Sequence, residues 1–185
     1  MFQKFVFALS LLLLISFPTF AQKKAQTNPA AAIFQKGMVL AKKNDFAGAI
    51  AEFEKATKAN PKYYEAFIAL GMAQQQIQSY SSAVDSFRQA IVLRPKSAEP
   101  RMMLGSLYQQ INDADSALNE YNEALKLEPG NAEVRMAIGF LLAVKNQLPE
   151  AISQLETAIT LKPTLAQAHY YLGTAKYFLM TQWAQ

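Results

Sequence analysis

The chain has 185 residues, of which 51% are hydrophobic, and it carries 18 basic and 14 acidic side chains. Its net charge of +4 is modest, and the basic residues are scattered rather than gathered into a run, which argues against a nucleic-acid partner. The absence of cysteine excludes disulfides, thiolate metal sites and cysteine nucleophiles.

Residues 1–21 have the organisation of a secretory signal peptide. Lys4 gives a positive start, an apolar run follows over residues 5–17, and Thr19 and Ala21 are small residues at the two positions that a signal peptidase reads. We therefore predict cleavage after Ala21 and a periplasmic or secreted protein. The alternative is an uncleaved membrane anchor, although the apolar run is shorter than the roughly 20 residues that a spanning helix needs.

Residues 22–29 show no apolar periodicity and predict a short flexible leader before the first helix. From residue 30 to residue 185 we expect one domain, because no further linker or low-complexity stretch interrupts the chain.

Within that domain, residues of the same type recur at one constant spacing along the sequence. The columns that keep this step are Pro61/Pro95/Pro129/Pro163, Gly37/Gly71/Gly105/Gly139/Gly173, Ala49/Ala83/Ala117/Ala151 and Ala56/Ala90/Ala124/Ala158. They divide the chain into windows 30–63, 64–97, 98–131 and 132–165, followed by a partial fifth repeat over 166–185. A fixed period of this length means that one small unit is stacked repeatedly, so the architecture is a solenoid.

Each window reads as a helical hairpin. In the second window, apolar residues at three- and four-residue spacing predict a first helix and then a second helix that ends before Pro95. Gly71 and Ala83 are small enough to let the two helices approach closely, and Phe87 fills the space beside their crossing. The fold class is therefore all-α, a solenoid of stacked antiparallel helix pairs.

These columns resemble the tetratricopeptide repeat, which has the same period. Each window departs from the family signature once, at Lys36, Gln74, Arg101 and Arg135. We expect these long side chains to pack along their stems while their polar ends reach water. The resemblance implies a right-handed superhelix whose first helices line a concave surface, and a non-catalytic scaffold that binds a protein or peptide partner.

The resemblance also implies which side chains line that groove. They are Phe34, Met38, Glu65, Ile68, Met72, Glu99, Met102, Ser106, Glu133, Met136, Phe140 and Tyr170. A methionine-rich surface suits a peptide or helix with apolar anchors, although Met102 and Met136 fit the core between hairpins equally well. The three glutamates favour a basic partner segment, but an acid in a first helical turn is also stabilised by the helix dipole alone.

Nothing in the sequence indicates catalysis. The single histidine, His169, stands without an activating constellation, and no HExxH motif, P-loop or glycine-rich dinucleotide loop is present. We therefore predict no catalytic residue, no metal site, no cofactor and no small-molecule substrate.

The last part of the chain allows two interpretations. Its apolar and aromatic cluster consists of Tyr177, Phe178, Met180 and Trp183. Either the last helix simply folds back on the fourth repeat, or the cluster is an exposed patch through which copies of the chain self-associate. The leading functional hypothesis is an adaptor in cell-envelope or secretion assembly. The alternatives are a self-associating structural subunit and a membrane-anchored display of the same solenoid.

Overall fold

The computed structural model of the protein describes residues 29–183, with the backbone alone for Trp183. In this range the helices are α1 (Pro29–Lys42), α2 (Phe46–Ala59), α3 (Tyr64–Gln76), α4 (Tyr80–Leu93), α5 (Glu99–Gln110), α6 (Ala114–Leu127), α7 (Ala132–Val144), α8 (Leu148–Leu161) and α9 (Ala166–Trp183). The predicted signal segment lies outside the described residues. Helix α1 begins at Pro29, so the last residue of the predicted leader belongs to the first helix.

The helices pack in the order of the chain. The pairs α1/α2, α3/α4, α5/α6 and α7/α8 form hairpins, each hairpin packs on the next, and α9 packs on α8 and touches α7. The buried side chains fall into four clusters spaced along the stack rather than into one central core. The fold is therefore the predicted all-α solenoid of stacked helix pairs, in which each unit depends on its neighbours for burial.

Each complete hairpin closes around the glycine of its first helix. A methyl group placed on Gly71 would lie 2.6 Å from Cε1 of Phe87, and the same crowding occurs at the equivalent glycines of the other three hairpins. The sequence placed Phe87 beside the helix crossing, whereas the structure places its ring directly on the glycine. Glycine at this position therefore leaves the space that a large side chain of the second helix occupies.

The turn inside each hairpin contains one residue in the left-handed region. These residues are Asn44, Gln78, Asn112 and Asn146, with φ near 60°. Asparagine tolerates this conformation better than other residues with a Cβ, so three of the four turns carry a well-suited residue and Gln78 does not.

Every departure from the repeat signature finds a polar partner at one shared position of the second helix. The pairs are Lys36–Glu52 (2.9 Å), Gln74–Ser86 (2.7 Å), Arg101–Glu120 (3.0 Å) and Arg135–Gln154 (3.1 Å). The four partners recur at the same spacing as the repeat glycines. One polar position of the second helix therefore supplies the hydrogen-bond partner for polar residues that stand at different positions of the first helix. The expectation that the polar ends reach water is wrong for Gln74, which is buried and accepts a hydrogen bond from Ser86.

Candidate functional site

An open groove of about 690 Å³ lies along α1 and α3 and reaches the start of α5. Most of its lining is apolar and consists of Phe34, Met38, Ala41, Phe46, Phe53, Ile68, Ala69, Met72 and Ala73. The polar lining residues are Tyr64, Glu65, Gln76, Arg94 and Glu99. We call this surface the α1–α3 groove.

The groove owes its depth to residue size. Ala41, Ala69 and Ala73 present small side chains between larger ones, and they leave room where two helices would otherwise fill the space. Met72 stands at the edge with 49% of its surface exposed, while Met38 packs partly against the buried cluster beneath α1. An unbranched thioether side chain adapts to partners of different shape, so Met72 is suited to cover an apolar group that enters the groove.

Aromatic contacts hold one wall of the groove in place. The ring of Phe34 lies 5.5 Å from that of Phe53 and 5.1 Å from that of Tyr63, in tilted arrangements that aromatic pairs prefer. Phe53 is itself fully buried on Gly37. The wall is therefore anchored to the core of the first hairpin.

A linked set of polar groups forms the other end of the groove. Arg94 donates a hydrogen bond to Glu65, and its guanidinium carbon lies 3.8 Å from the ring centroid of Tyr64. The Tyr64 hydroxyl donates to Oε2 of Glu99 at 2.7 Å, and burial raises the pKa of this hydroxyl, which keeps it a donor. The charges of Arg94 and Glu65 offset each other, so Glu99 supplies the net charge at this end of the groove.

The three glutamates of the predicted row differ in their partners. Arg94 and Lys162 stand 29 residues after Glu65 and Glu133 and form ion pairs with them. The hydrogen bond from Lys162 holds the pKa of Glu133 below its usual range. The equivalent residue after Glu99 is Glu128, so the same pairing is chemically excluded there. Within the described residues, Glu99 takes part in no ion pair, and the row does not act as a uniform acidic stripe.

The structure gathers half of the predicted groove residues at one place. Phe34, Met38, Glu65, Ile68, Met72 and Glu99 line the α1–α3 groove. The other six lie further along the solenoid and outside this groove: Met102, Met136 and Phe140 are half-buried against the clusters between hairpins, whereas Ser106, Glu133 and Tyr170 are exposed.

Sequence reasoning missed Phe46, Phe53 and Arg94 as lining residues. Phe46 and Phe53 belong to a second helix, and attention to first helices alone overlooks them. The spacing of 29 residues between Glu65 and Arg94, repeated between Glu133 and Lys162, is the signal that would have found Arg94.

Comparison with protein-family models adds independent information. Models described as tetratricopeptide repeats match residues 34–98, 98–131 and 141–178, so they span most of the described chain. The chain belongs to the tetratricopeptide repeat family. Proteins of this family mediate protein–protein interaction, they bind protein or peptide partners, and they are typically non-catalytic. No curated protein sequence matches the chain.

Solved structures of tetratricopeptide repeat proteins share its architecture. A crystal structure of MamA is similar with a TM-score of 0.73 and 27% identity, over 79% of this chain and 80% of that one. YrrB, described as a TPR protein with an unusual peptide-binding site, has a TM-score of 0.70 and 23% identity, over 84% and 80%. MamA from Desulfovibrio magneticus RS-1 has a TM-score of 0.68 and 21% identity, over 75% and 78%. The last two likenesses concern the fold alone.

The repeat register also describes the last helix. Of the side chains predicted for self-association, Tyr177, Phe178 and Met180 are exposed on α9 by 65%, 52% and 74%, and the side chain of Trp183 lies outside the described residues. Helix α9 does pack on the fourth tetratricopeptide repeat, through Ala168 and Ala175. Helix α9 therefore has a buried face and an exposed aromatic face, and self-association through the exposed face stays a prediction.

The described part of this tetratricopeptide repeat protein contains neither a metal-binding cluster nor a membrane-spanning helix. Between residues 29 and 183, no group of three or more His, Asp or Glu side chains has a geometry that could hold a metal ion. Over the same range, no helix has both the length and the hydropathy needed to span a bilayer.

Proposed function

We propose that the protein is a non-catalytic adaptor that binds a peptide or a helix of another protein in the α1–α3 groove. The bound segment supplies an apolar anchor and a basic side chain. The observation that carries this proposal is the half-exposed side chain of Met72 in an apolar groove whose polar end carries the carboxylate of Glu99, which has no cationic partner among the described residues.

The apolar anchor supplies most of the affinity. Burying a side chain such as leucine or phenylalanine against Met38, Ile68 and Met72 is worth roughly 1.5–3 kcal/mol. A groove of about 690 Å³ is large enough for one or two such side chains and their backbone, and its volume falls in the range of ordinary ligand sites.

The basic side chain supplies orientation. Glu99 accepts one hydrogen bond from Tyr64 and keeps further acceptor positions free for a lysine or an arginine of the partner. Arg94 is less suited to hold a partner's acid, since Glu65 already pairs with it. The partner is therefore expected to be basic at the end of the groove that Glu99 marks, which narrows the row of three predicted glutamates to one residue.

We place this adaptor in the periplasm or outside the cell, in envelope or secretion assembly. The signal-like composition of residues 1–21 supports this location. Mass spectrometry of the N-terminus of the protein recovered from its host tests it, and a chain that begins at Gln22 is the expected result. An intact segment would instead favour display of the groove at a membrane.

A photocrosslinking experiment tests the groove. A photoreactive amino acid is placed at Met72 and, as a matched control, at Val92, an apolar residue of α4 that is 72% exposed and lies outside the groove. We expect position 72, and not position 92, to capture a defined partner in the native host. Equal capture at both positions, or none at position 72, contradicts the proposal.

The captured partner then permits a binding measurement. Because Met72 is half exposed, Met72→Glu leaves the fold intact while it places a charge in the apolar groove, so we expect at least a tenfold loss of affinity, about 1.4 kcal/mol or more. Val92→Glu is the control and should bind normally. Glu99→Gln retains an acceptor for the Tyr64 hydroxyl, and it should weaken binding less and make it less sensitive to salt.

A further inference from the structure

Within the described residues, the first helix of the fifth repeat has no second helix packed on its glycine. In the four complete hairpins, a methyl group on the repeat glycine would collide with Phe53, Phe87, Tyr121 or Leu155 of the second helix. At Gly173 of α9, nothing apart from the helix's own neighbouring backbone lies within 4 Å of that position. Among the described residues, no second helix follows α9. The face that closes a hairpin elsewhere is therefore open here.

The open face is apolar and continuous. Tyr170, Gly173, Tyr177 and Met180 follow one another at three- and four-residue spacing and so lie along one side of the helix. Tyr170, Tyr177 and Met180 are each at least 65% exposed, and a shallow depression of about 470 Å³ surrounds Gly173. A stripe of this kind on a helix is unusual on a solvent face and typical of an interface.

The chemistry of a suitable occupant can be read from the complete hairpins. Each second helix covers its glycine with a small residue followed four positions later by a large one, as in Ala49/Phe53, Ala83/Phe87, Ala117/Tyr121 and Ala151/Leu155. Helix α9 carries the same pattern itself, in Gly173 and Tyr177. A second α9 therefore presents the type of surface that the open face accepts.

Charge does not oppose such a pairing. Helix α9 contains no acidic residue. Its single lysine, Lys176, is paired at 2.8 Å with Glu156 of α8. The only other ionisable basic group on the helix is His169, whose Nε2 lies 2.9 Å from the carbonyl oxygen of Pro163. Two copies of this face can therefore meet without bringing unpaired like charges together.

We propose that two copies of the chain associate through an antiparallel, two-fold pair of α9 helices, in which Tyr177 of each copy packs on Gly173 of the other. The contact continues, between molecules, the hairpin interface that the chain repeats four times within itself. Because the symmetry is two-fold, the interface closes on itself and yields a dimer, not a fibre. This inference concerns a different surface from the α1–α3 groove and does not depend on the function proposed for that groove.

Sedimentation equilibrium of the purified chain tests the pairing. One helix pair buries less than about 1,200 Å², the range of weak complexes, so we expect a dissociation constant on the order of 10–100 µM. Gly173→Leu fills the space that Tyr177 of the second copy needs and should weaken dimerisation at least about tenfold. Its melting temperature should not fall, since a β carbon at this position meets no other helix of the described chain within 4 Å. Val144→Leu, at another exposed apolar position, is the matched control and should dimerise normally.

Cysteine crosslinking tests the register, because the natural chain has no cysteine. The variants Gly173→Cys and Tyr177→Cys, mixed and treated with a short thiol-reactive crosslinker, should give more dimer than either variant mixed with Val92→Cys. The proposal is overturned if the chain stays monomeric up to about 300 µM, a concentration above the expected dissociation constant. It is equally overturned if Gly173→Leu dimerises as well as the natural chain, or if the mixed variants crosslink no better than the control. The proposal is also overturned if the chain stays monomeric and its α9 face binds a different polypeptide.

Discussion

The α1–α3 groove and the open face of α9 use equivalent positions of the repeat, and they differ because of what packs behind them. At the groove, α2 and α4 cover Gly37 and Gly71, so the first helices present only their outer side chains. At α9, the covering helix is absent among the described residues, and Gly173 itself is part of the surface. The same residue type is therefore core in one region and surface in the other, and the neighbouring helix decides which.

The two regions also differ in charge. The groove ends in the carboxylate of Glu99, which accepts a hydrogen bond but forms no ion pair within the described part of the chain. Helix α9 has no acid, and its lysine is already paired. The groove therefore suits a basic segment of a different protein, whereas the α9 face is complementary to itself.

The largest expected effect is the difference in the free energy of unfolding between an alanine substitution at a covered glycine and one at an uncovered glycine. In Gly71→Ala, the added methyl group lies 2.6 Å from the fully buried ring of Phe87, so we expect a loss of about 1–3 kcal/mol in the free energy of unfolding. Gly173→Ala should instead gain roughly 0.5–1 kcal/mol, because alanine favours the helix and meets no neighbour. Urea denaturation measures both, and equal effects at the two sites would refute the distinction.

A smaller effect is expected at the hairpin that supports the groove. Ser86→Ala removes the hydroxyl that donates to the buried amide oxygen of Gln74, and leaving that oxygen unpaired should cost about 1–3 kcal/mol, near the lower value because the bond joins neutral groups. The double variant Gln74→Leu with Ser86→Ala should recover most of this loss in the same urea measurement.

The fourth hairpin, beneath α9, supplies the control for that prediction. Its equivalent pair is Arg135 and Gln154, and the guanidinium also donates to the carbonyl oxygen of Pro129. Gln154→Ala therefore leaves no buried group unpaired and should cost less than about 0.5 kcal/mol. A cost as large as that of Ser86→Ala would mean that burial does not set the difference.

The smallest effect concerns pH. Hydrogen bonds from Lys55 and then Lys36 lower the pKa of Glu52, which joins α1 to α2 behind the groove. Since the pKa in the folded chain lies below that in the unfolded chain, this stabilisation is present above the unfolded pKa and is lost as the pH falls through the folded one. The effect is modest because both lysines are at least 60% exposed to solvent.

Equilibrium unfolding at neutral and acidic pH checks this expectation. In Glu52→Gln the free energy of unfolding should fall less on acidification than in the natural chain. The matched control in the same measurement is Glu156→Gln on α8, which removes the exposed pair with Lys176 of α9. An identical pH dependence of Glu52→Gln and the natural chain would show that the carboxylate does not contribute.

Much of the architecture could be predicted from the columns of glycine, alanine and proline. Small residues at fixed steps dictate where helices approach, and prolines dictate where they end, so the helix pairs and the family were both predictable, and both are confirmed. The polar partners of Lys36 and Gln74 were not predicted, although Glu52 and Ser86 stand in a column of their own. Single windows hide such a column, because its members differ in chemistry.

The candidate site was less predictable. Met72 and Met102 were both predicted to line the groove from first helices, but Met72 is exposed in the groove while Met102 packs against the cluster between two hairpins. Glu65 and Glu99 occupy the same position of the repeat. Glu65 pairs with Arg94, but the residue that stands in the place of Arg94 in the next repeat is Glu128, which cannot pair with Glu99. Position in the repeat predicts which helix face a residue occupies, and its actual neighbours determine how much of it remains accessible.

The sequence by itself determined the repeated helix pair, the stacking order and the columns of small residues at which helices approach, because these follow from residue size at a fixed spacing. Only the tertiary structure decided that the groove lies along α1 and α3, that Glu99 alone of its row has no cation beside it among the described residues, and that Gly173 is uncovered there. These features depend on contacts between side chains of different helices, and the spacing of the repeat along the sequence does not specify those contacts.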